Sequence, residues 1–194
     1  VSGIESGPPV IEVTASSDKF SLQEMAKLVP ALRGYEMQPA FELTATGPAD
    51  RLAVDVNVRD GDLGEATGDL TVDAMAPGRR VSGTADVRNL NIGPIAKNAT
   101  LKSDITGRAR FDLALPSDRL PLSGTYAVNA GEVQVAGYEV RDLVASGRID
   151  GQTIRVDANA AAYGGRATAS GTVRTGQPLA LDLSGRASDM DLRN

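Results

Sequence analysis

The chain has 194 residues and contains no cysteine, no histidine and no tryptophan. These absences exclude a disulfide framework, a thiolate or imidazole metal site, and catalytic pairs that need cysteine or histidine. The 25 acidic and 20 basic residues give a net charge of −5, which argues against nucleic acid as a partner, because that partner requires a basic surface. Aromatic residues make up only 4% of the chain, so we expect an aliphatic core.

The first 35 residues differ in pattern from the rest. Residues 1–17 carry glycines and a proline pair, and we predict a linker or a first strand there. Residues 18–35 are predicted to form one short amphipathic helix. Ser21 followed by Glu24 is typical of a capping box at a helix start, and Gly34 is a natural end.

Residues 36–194 are predicted to form repeated antiparallel β-hairpins, as one segment of a longer protein. Apolar and polar residues alternate through most of this region, for example Leu52, Val54, Val56 and Val58 with polar or small residues between them. A period of two is typical of strands with one apolar and one solvated face. Parallel strands that are buried on both faces would instead be continuous apolar runs, so the fold class is mainly β with an antiparallel sheet.

Glycine-containing dipeptides predict the turns and the register. Asp150-Gly151 and Ala130-Gly131 both fit a two-residue type I′ hairpin loop, and Asp60-Gly61 and Tyr163-Gly164 mark further turns. Either of the first two loops would bring the flanking aliphatic residues onto one face. The predicted pairs are Ile149 with Gln152, Gly147 with Ile154, Val128 with Val133, and Tyr126 with Val135.

A Ser/Thr-Gly-polar step recurs inside the predicted strands at intervals of roughly one hairpin. In each step the glycine falls on the same face as the aliphatic residues. Two compatible interpretations remain open: the glycines curve the sheet, or they leave room for a ligand. The glycines are Gly68, Gly83, Gly107, Gly124, Gly147, Gly171 and Gly185.

Candidate catalytic or metal-binding residues are few. Asp60, Asp62 and Glu65 form an acidic cluster beside a glycine, but the spacing is not that of an EF-hand and a solvated turn is the favoured interpretation. No catalytic triad or dyad emerges from the remaining residue types. We therefore predict a protein that is not an enzyme, with no catalytic residues, no metal and no cofactor.

The alternating aliphatic face has two structural uses. A closed β-sandwich would use it as a core, whereas an open, curved sheet would use it as the lining of a hydrophobic groove. An open groove exposes more apolar surface than a monomer usually does, so it is expected to bind an apolar ligand. The predicted lining residues are Phe41, Leu43, Leu52, Val54, Val56, Val58, Leu70, Val72, Ile105, Phe111, Leu113, Leu115, Tyr126, Val128, Val133, Val135, Ile149, Ile154, Val156, Val173, Leu179, Leu181 and Leu183.

Several stretches resemble the TamB/AsmA-like proteins of diderm bacteria. The resemblance consists of aliphatic alternation with glycines and small residues, and it covers roughly residues 18–194. The stretches that carry it are Gly131–Val135, Val140–Gly147, Asp150–Ile154, Gly164–Gly171, and Phe20–Leu32 followed by Phe41–Leu43.

This resemblance implies a β-taco, a U-shaped sheet with a hydrophobic inner groove, in a periplasmic segment of a protein anchored in the inner membrane. It implies that the groove binds phospholipid or another acyl lipid and conducts it between the inner and outer membranes. The implied partners are adjoining segments of the same long chain and an outer-membrane barrel-assembly protein. Two alternatives stay open: a module that assists outer-membrane protein assembly by β-augmentation, and a structural β-repeat of a surface protein. Edge-to-edge self-association is a further expectation from open strand edges.

Overall fold

The computed structural model of the chain describes residues 8–25, 37–76, 78–96, 98–117, 120–175 and 180–189. Within these ranges, the strands form a single antiparallel sheet in which each strand pairs with its neighbours in sequence. The strands are β1 (Val10–Ser17), β2 (Ala40–Pro48), β3 (Leu52–Asp60), β4 (Gly64–Asp73), β5 (Arg80–Leu90), β6 (Ser103–Ala114), β7 (Ser123–Val135), β8 (Tyr138–Asp150), β9 (Thr153–Ala162), β10 (Gly165–Arg174) and β11 (Ala180–Ser188). The short helices are α1 (Leu22–Met25) and α2 (Gly93–Ala96), and a 3₁₀ turn follows at Ala99–Leu101.

The sheet is curved and does not close on itself. Among the described residues β1 pairs only with β2, and β11 pairs only with β10. The chain exposes 13495 Å² of accessible surface. A compact monomer of the same mass would expose roughly 8,700 Å². The sheet is therefore one layer, and the predicted mainly-β, antiparallel and curved architecture is confirmed.

The register places most of the aliphatic strand residues on one side, although Val144 of β8 lies on the other, opposite Asn129 and Asn159. Val54 of β3 lies opposite Ala45 of β2 and Leu70 of β4. Farther along the sheet, Ile149 of β8 lies opposite Ile154 of β9. Residues that are directly opposite in a sheet share a face, so the alternation in each strand combines into one apolar face and one polar face.

The turn at Asp150-Gly151 exists, but its register differs from the prediction. Asp150 pairs with Thr153 and Ile149 pairs with Ile154, so the two loop residues are Gly151 and Gln152. The predicted pairs of Ile149 with Gln152 and of Gly147 with Ile154 are wrong. Moving a two-residue loop by one position keeps the parity of the flanking residues, so the aliphatic residues stay on the predicted face.

The hairpin predicted at Ala130-Gly131 is wrong, because β7 runs straight through it. Gly131 is the extra residue of a β-bulge: Thr106 of β6 faces Glu132, while the next residue, Gly107, faces Ala130. The hairpin turn lies six residues later, at Ala136 and Gly137, whose φ angles of 53° and 85° are those of a type I′ turn.

As a consequence, two more predicted pairs are replaced. Val128 pairs with Ala109 and Ala145, and Val133 pairs with Ile105 and Val140. The predicted partners Tyr126 and Val135 both belong to β7 itself.

The N-terminal part adds one strand and a short helix. Ser21 caps α1, because its hydroxyl oxygen accepts the Glu24 backbone N–H at 3.2 Å. Phe20, just before the cap, packs edge-on against Phe41 of β2 with ring centroids 5.0 Å apart. Of the helix predicted over residues 18–35, residues 26–35 lie outside the described part of the chain.

Candidate functional site

The candidate site is the apolar face, defined here as the side of the sheet that carries the alternating aliphatic side chains. The side chains of this face form rows that run across the strands, because each residue is aligned with its partner on the next strand. The row with the largest aliphatic side chains is continuous from β3 to β11 except for Gly124 on β7. It consists of Leu52, Val72, Val81, Leu113, Ile149, Ile154, Val173 and Leu181.

The structure brings the predicted lining residues together on this face wherever they lie in a strand. Leu115 follows the last residue of β6 and lies beyond the ladder, and Leu179 lies outside the described residues. The face also holds residues that the sequence interpretation missed, although the same alternation marks them. They are Ile11, Val13, Val81, Val87, Leu90, Val140 and Leu143.

Burial on the apolar face is uneven. Ala45, Leu52 and Val54 form a buried cluster at the N-terminal end, against which Ile11 and Leu43 pack among others. At the other end, Leu181 is 62% exposed and Leu183 is 47% exposed. A single layer leaves these side chains in water, so the C-terminal part of the face is available to an apolar partner.

Most of the recurring glycines lie on the apolar face where neighbouring backbone approaches closely. Gly171 has a φ of 151°, and a Cβ there would meet the carbonyl oxygen of Asp182 on β11. A Cβ on Gly147 would meet the carbonyl oxygen of Arg155 on β9, and it would lie 2.8 Å from the hydroxyl of Tyr126. These positions have no room for a side chain, which supports the interpretation that the glycines shape the sheet.

Tyr126 is a polar group on the apolar face. Its hydroxyl passes over Gly147 of β8 and donates a hydrogen bond to the carbonyl oxygen of Arg155, at 3.0 Å. Burial raises the pKa of the Tyr126 hydroxyl, and the negative charge of Asp157 adds to that effect. Because the hydroxyl proton is donated to the backbone of β9, the Tyr126 side chain of β7 connects three neighbouring strands, β7, β8 and β9.

The polar face carries ion pairs, three of them between neighbouring strands and one, Arg141 with Glu139, within β8. Hydrogen bonds from Arg80 and Arg108 lower the pKa of Asp112 and Asp86, respectively. All the paired side chains are well exposed, so each pair contributes little to stability. The pairs are Arg59 with Glu42 at 3.0 Å, Arg80 with Asp112 at 2.7 Å, Arg108 with Asp86 at 2.7 Å, and Arg141 with Glu139 at 2.7 Å.

The acidic cluster between β3 and β4 forms a turn, as predicted. The Asp60 carboxylate accepts the backbone N–H groups of Asp62 at 2.9 Å and Leu63 at 3.2 Å. Across the described ranges, no three acidic side chains come together as a metal site. None of the helices in those ranges is long and apolar enough to cross a membrane.

One depression, of about 920 Å³, is lined partly by Glu139, Arg141 and the turn at Tyr163. Its charged lining residues are Glu139, Arg141, Arg166 and Asp189, of which Glu139 and Arg141 pair with each other. We regard the apolar face as the better candidate site because it extends over the whole sheet.

No protein-family model, no curated protein and no solved structure matches this chain. The candidate site therefore rests on the geometry of the sheet and on the residues of its two faces.

Proposed function

We propose that the chain is a non-catalytic segment that binds phospholipid acyl chains on its apolar face and conducts them between the inner and outer membranes of a diderm bacterium. The observation that carries the proposal is the continuity of the apolar face across an unclosed, single-layered sheet. The resemblance to TamB/AsmA-like proteins supports it. That resemblance adds that the sheet is U-shaped with the apolar face inside, and that the segment lies in the periplasm in an inner-membrane-anchored protein.

Acyl chains would lie across the strands, along the rows of the apolar face. Neighbouring strands are spaced by about 4.8 Å, so the path from β1 to β11 is about 48 Å along the sheet. Each methylene removed from water contributes about 0.8 kcal/mol, which holds the chains on the face. The apolar positions of successive strands carry aliphatic or small residues, so an acyl chain that slides along a row by one strand exchanges similar contacts, and the head groups can remain in water.

The proposal is tested by organic extraction of the purified protein, followed by lipid mass spectrometry. Val56→Asp and Leu181→Asp place a charge on the apolar face and are expected to reduce the co-purified phospholipid. Asn57→Asp introduces the same side chain next to Val56 but on the polar face, and it should leave the lipid content unchanged. Far-UV circular dichroism verifies that the variants keep the sheet. Undiminished phospholipid in both apolar-face variants would contradict the proposal.

The free strand edges favour one alternative function. Both β1 and β11 have one neighbour among the described strands, and an unfolded outer-membrane strand could join either edge by β-augmentation. Photo-crosslinking from β11 in the presence of an unfolded outer-membrane protein separates the two functions, since crosslinks to that protein favour the alternative and crosslinks to lipid favour conduction.

A further inference from the structure

Four consecutive strands, β5 to β8, contain three extra residues. In β5 the register against β6 shifts around Asn89, and in β8 the register against β9 shifts around Asp142. Both residues have a φ of 52°. The third extra residue is Gly131 of β7, where the register against β6 shifts. Each extra residue forms a β-bulge, which bends its strand and increases the local twist.

The three bulges are aligned across the sheet. Asn89 donates its backbone N–H to the hydroxyl oxygen of Thr106 on β6, at 3.1 Å, and Thr106 faces β7 beside Gly131. Gly131 and Asp142 occupy the same level of β7 and β8, because the residues on either side of them pair without a shift. Strand β4 meets this line at Gly64, where an added Cβ would meet the carbonyl oxygen of Asn89. We call this line the crease, and its residues are Gly64, Asn89, Gly107, Gly131 and Asp142.

The sheet is crowded on its apolar side along the crease. An added Cβ on Gly107 of β6 would lie 2.7 Å from the Cβ of Ala130 on β7, so a side chain does not fit there. Ala130 is only 3% exposed, although the sheet is one layer. On the polar side, the nearby residues Asn129 and Glu132 are exposed. Side chains converge on the inside of a bend and spread on its outside, so this difference indicates a bend toward the apolar face.

We propose that the crease folds one margin of the sheet toward the apolar face, so that this margin is a wall of the groove that holds lipid. The margin carries its own aliphatic row, which consists of Leu90, Ile105, Val133 and Val140. Aligned bulges concentrate the bend in one line, whereas scattered bulges would distribute it over the sheet. The role of the wall rests on the proposed function, but the bend itself does not.

The bulges can be removed without disturbing either face. Deletion of Gly131 leaves the apolar residues of β7 in strict alternation, and deletion of Asp142 does the same in β8. Because these two residues lie at the same level, deleting both also keeps the register between β7 and β8. Deletion of Ala145 is the matched control, since it shortens β8 equally but puts Leu143 and Ile149 on opposite faces. In urea denaturation the double deletion should keep the cooperative transition, and the control should lose stability.

The first measurement is the angle between the two sides of the crease, by NMR residual dipolar couplings. The couplings of residues 103–106 and 132–135 give the orientation of the margin, and those of 108–114 and 123–130 give the body of the sheet. In the parent chain this angle should exceed the bend within β9 and β10, whose mutual register does not shift. The double deletion should decrease it, and deletion of Asn89 alone should decrease it by less.

Two results would overturn the crease. One is a parent angle no larger than the bend within β9 and β10, a result that does not depend on the folding of any variant. The other is an unchanged angle in a deletion variant that keeps the sheet by far-UV circular dichroism.

The second measurement is the co-purified phospholipid, by mass spectrometry of the same proteins. The double deletion flattens the margin, so it should lose phospholipid relative to the parent. A straightened variant that keeps the parent's lipid content would overturn the role of the margin as a wall. A parent chain without phospholipid would contradict the proposed function instead, and the angle would still decide whether the crease bends the sheet.

Discussion

The two ends of the apolar face use the same alternation with different side chains. Strands β2 to β4 place branched or aromatic residues at most apolar positions, and Leu52 and Val54 become buried within the single layer. Strands β9 to β11 place alanine or glycine at many equivalent positions, such as Ala158, Ala169 and Gly185, and their few leucines stay exposed.

This difference separates two properties of one face. The alternation along each strand determines which residues lie on the apolar face. The volume of their side chains determines how far neighbouring side chains shield each other from water. Large neighbours shield each other in β2 to β4, so that end stabilises the sheet. Leu183 of β11 faces Gly171, and Leu181 has a neighbouring strand on one side only among the described strands, so both leucines stay in water. That end therefore has more surface to offer to a lipid or to another chain.

The largest expected difference between the two ends comes from truncating a leucine at each. Leu52→Ala should lower the free energy of unfolding by about 2–4 kcal/mol, because Leu52 is buried in the cluster with Ala45 and Val54. Leu181→Ala should lower it by less than about 1 kcal/mol, because most of its side chain is already in water. Urea denaturation followed by circular dichroism measures both. Equal losses would show that the two ends are shielded alike.

A smaller effect is expected from adding a methyl group at the exposed end. Gly171→Ala should cost about 1–3 kcal/mol, because the residue has a φ of 151° and its Cβ would meet the carbonyl oxygen of Asp182. Gly131→Ala is the matched control, since nothing lies within 4 Å of a Cβ there, and it should change stability by about 0.5 kcal/mol or less. The same urea denaturation applies, and a neutral Gly171→Ala would mean that the backbone of β10 and β11 can separate.

The smallest effect is expected between the two ends, at Tyr126. Tyr126→Phe removes the hydrogen bond to the Arg155 carbonyl and should cost about 0.5–1.5 kcal/mol near neutral pH. The folded protein raises the pKa of this hydroxyl above its ordinary value of about 10. The contribution of this raised pKa to the free energy of unfolding is fully present below about pH 10. It is lost as the pH rises through the pKa that the hydroxyl has in the folded protein.

The difference between the parent and Tyr126→Phe should therefore be constant up to about pH 10 and shrink above it. Denaturation measured at pH 7 to 11 follows this difference. A difference that grows with pH would show that the ionised hydroxyl is stabilised in the folded state.

The sequence predicted the sheet and its faces better than the path of the chain. The alternation before Gly131 and the alternation after it each mark one apolar face, and a shared core then assigns Val128 and Val133 to the same face. Both a two-residue hairpin loop and a one-residue bulge produce that result, so the pattern could not show that Gly131 is a bulge. The hairpin at Ala136-Gly137 depends on a positive φ at an alanine, which local preference disfavours.

The candidate site was predictable in the same partial way. The face of each lining residue follows from its parity, but its exposure depends on neighbours across the ladder. Leu181 and Leu52 have the same side chain and similar local patterns, yet one is exposed and the other buried. The contact of Tyr126 with Arg155 also spans an intervening strand, and only the register reveals that Gly147 lies beneath it.

The sequential order of the strands also has a mechanical consequence. Throughout the described residues, each strand pairs only with the strands that precede and follow it in the chain. Such a sheet can be assembled by closing short loops one after another, without a search for distant partners. Its cohesion is then approximately the sum of interfaces between neighbours. Under tension applied to the two ends of the chain, we expect the strands to separate one by one, so that the protein lengthens in many small steps and not in a single rupture.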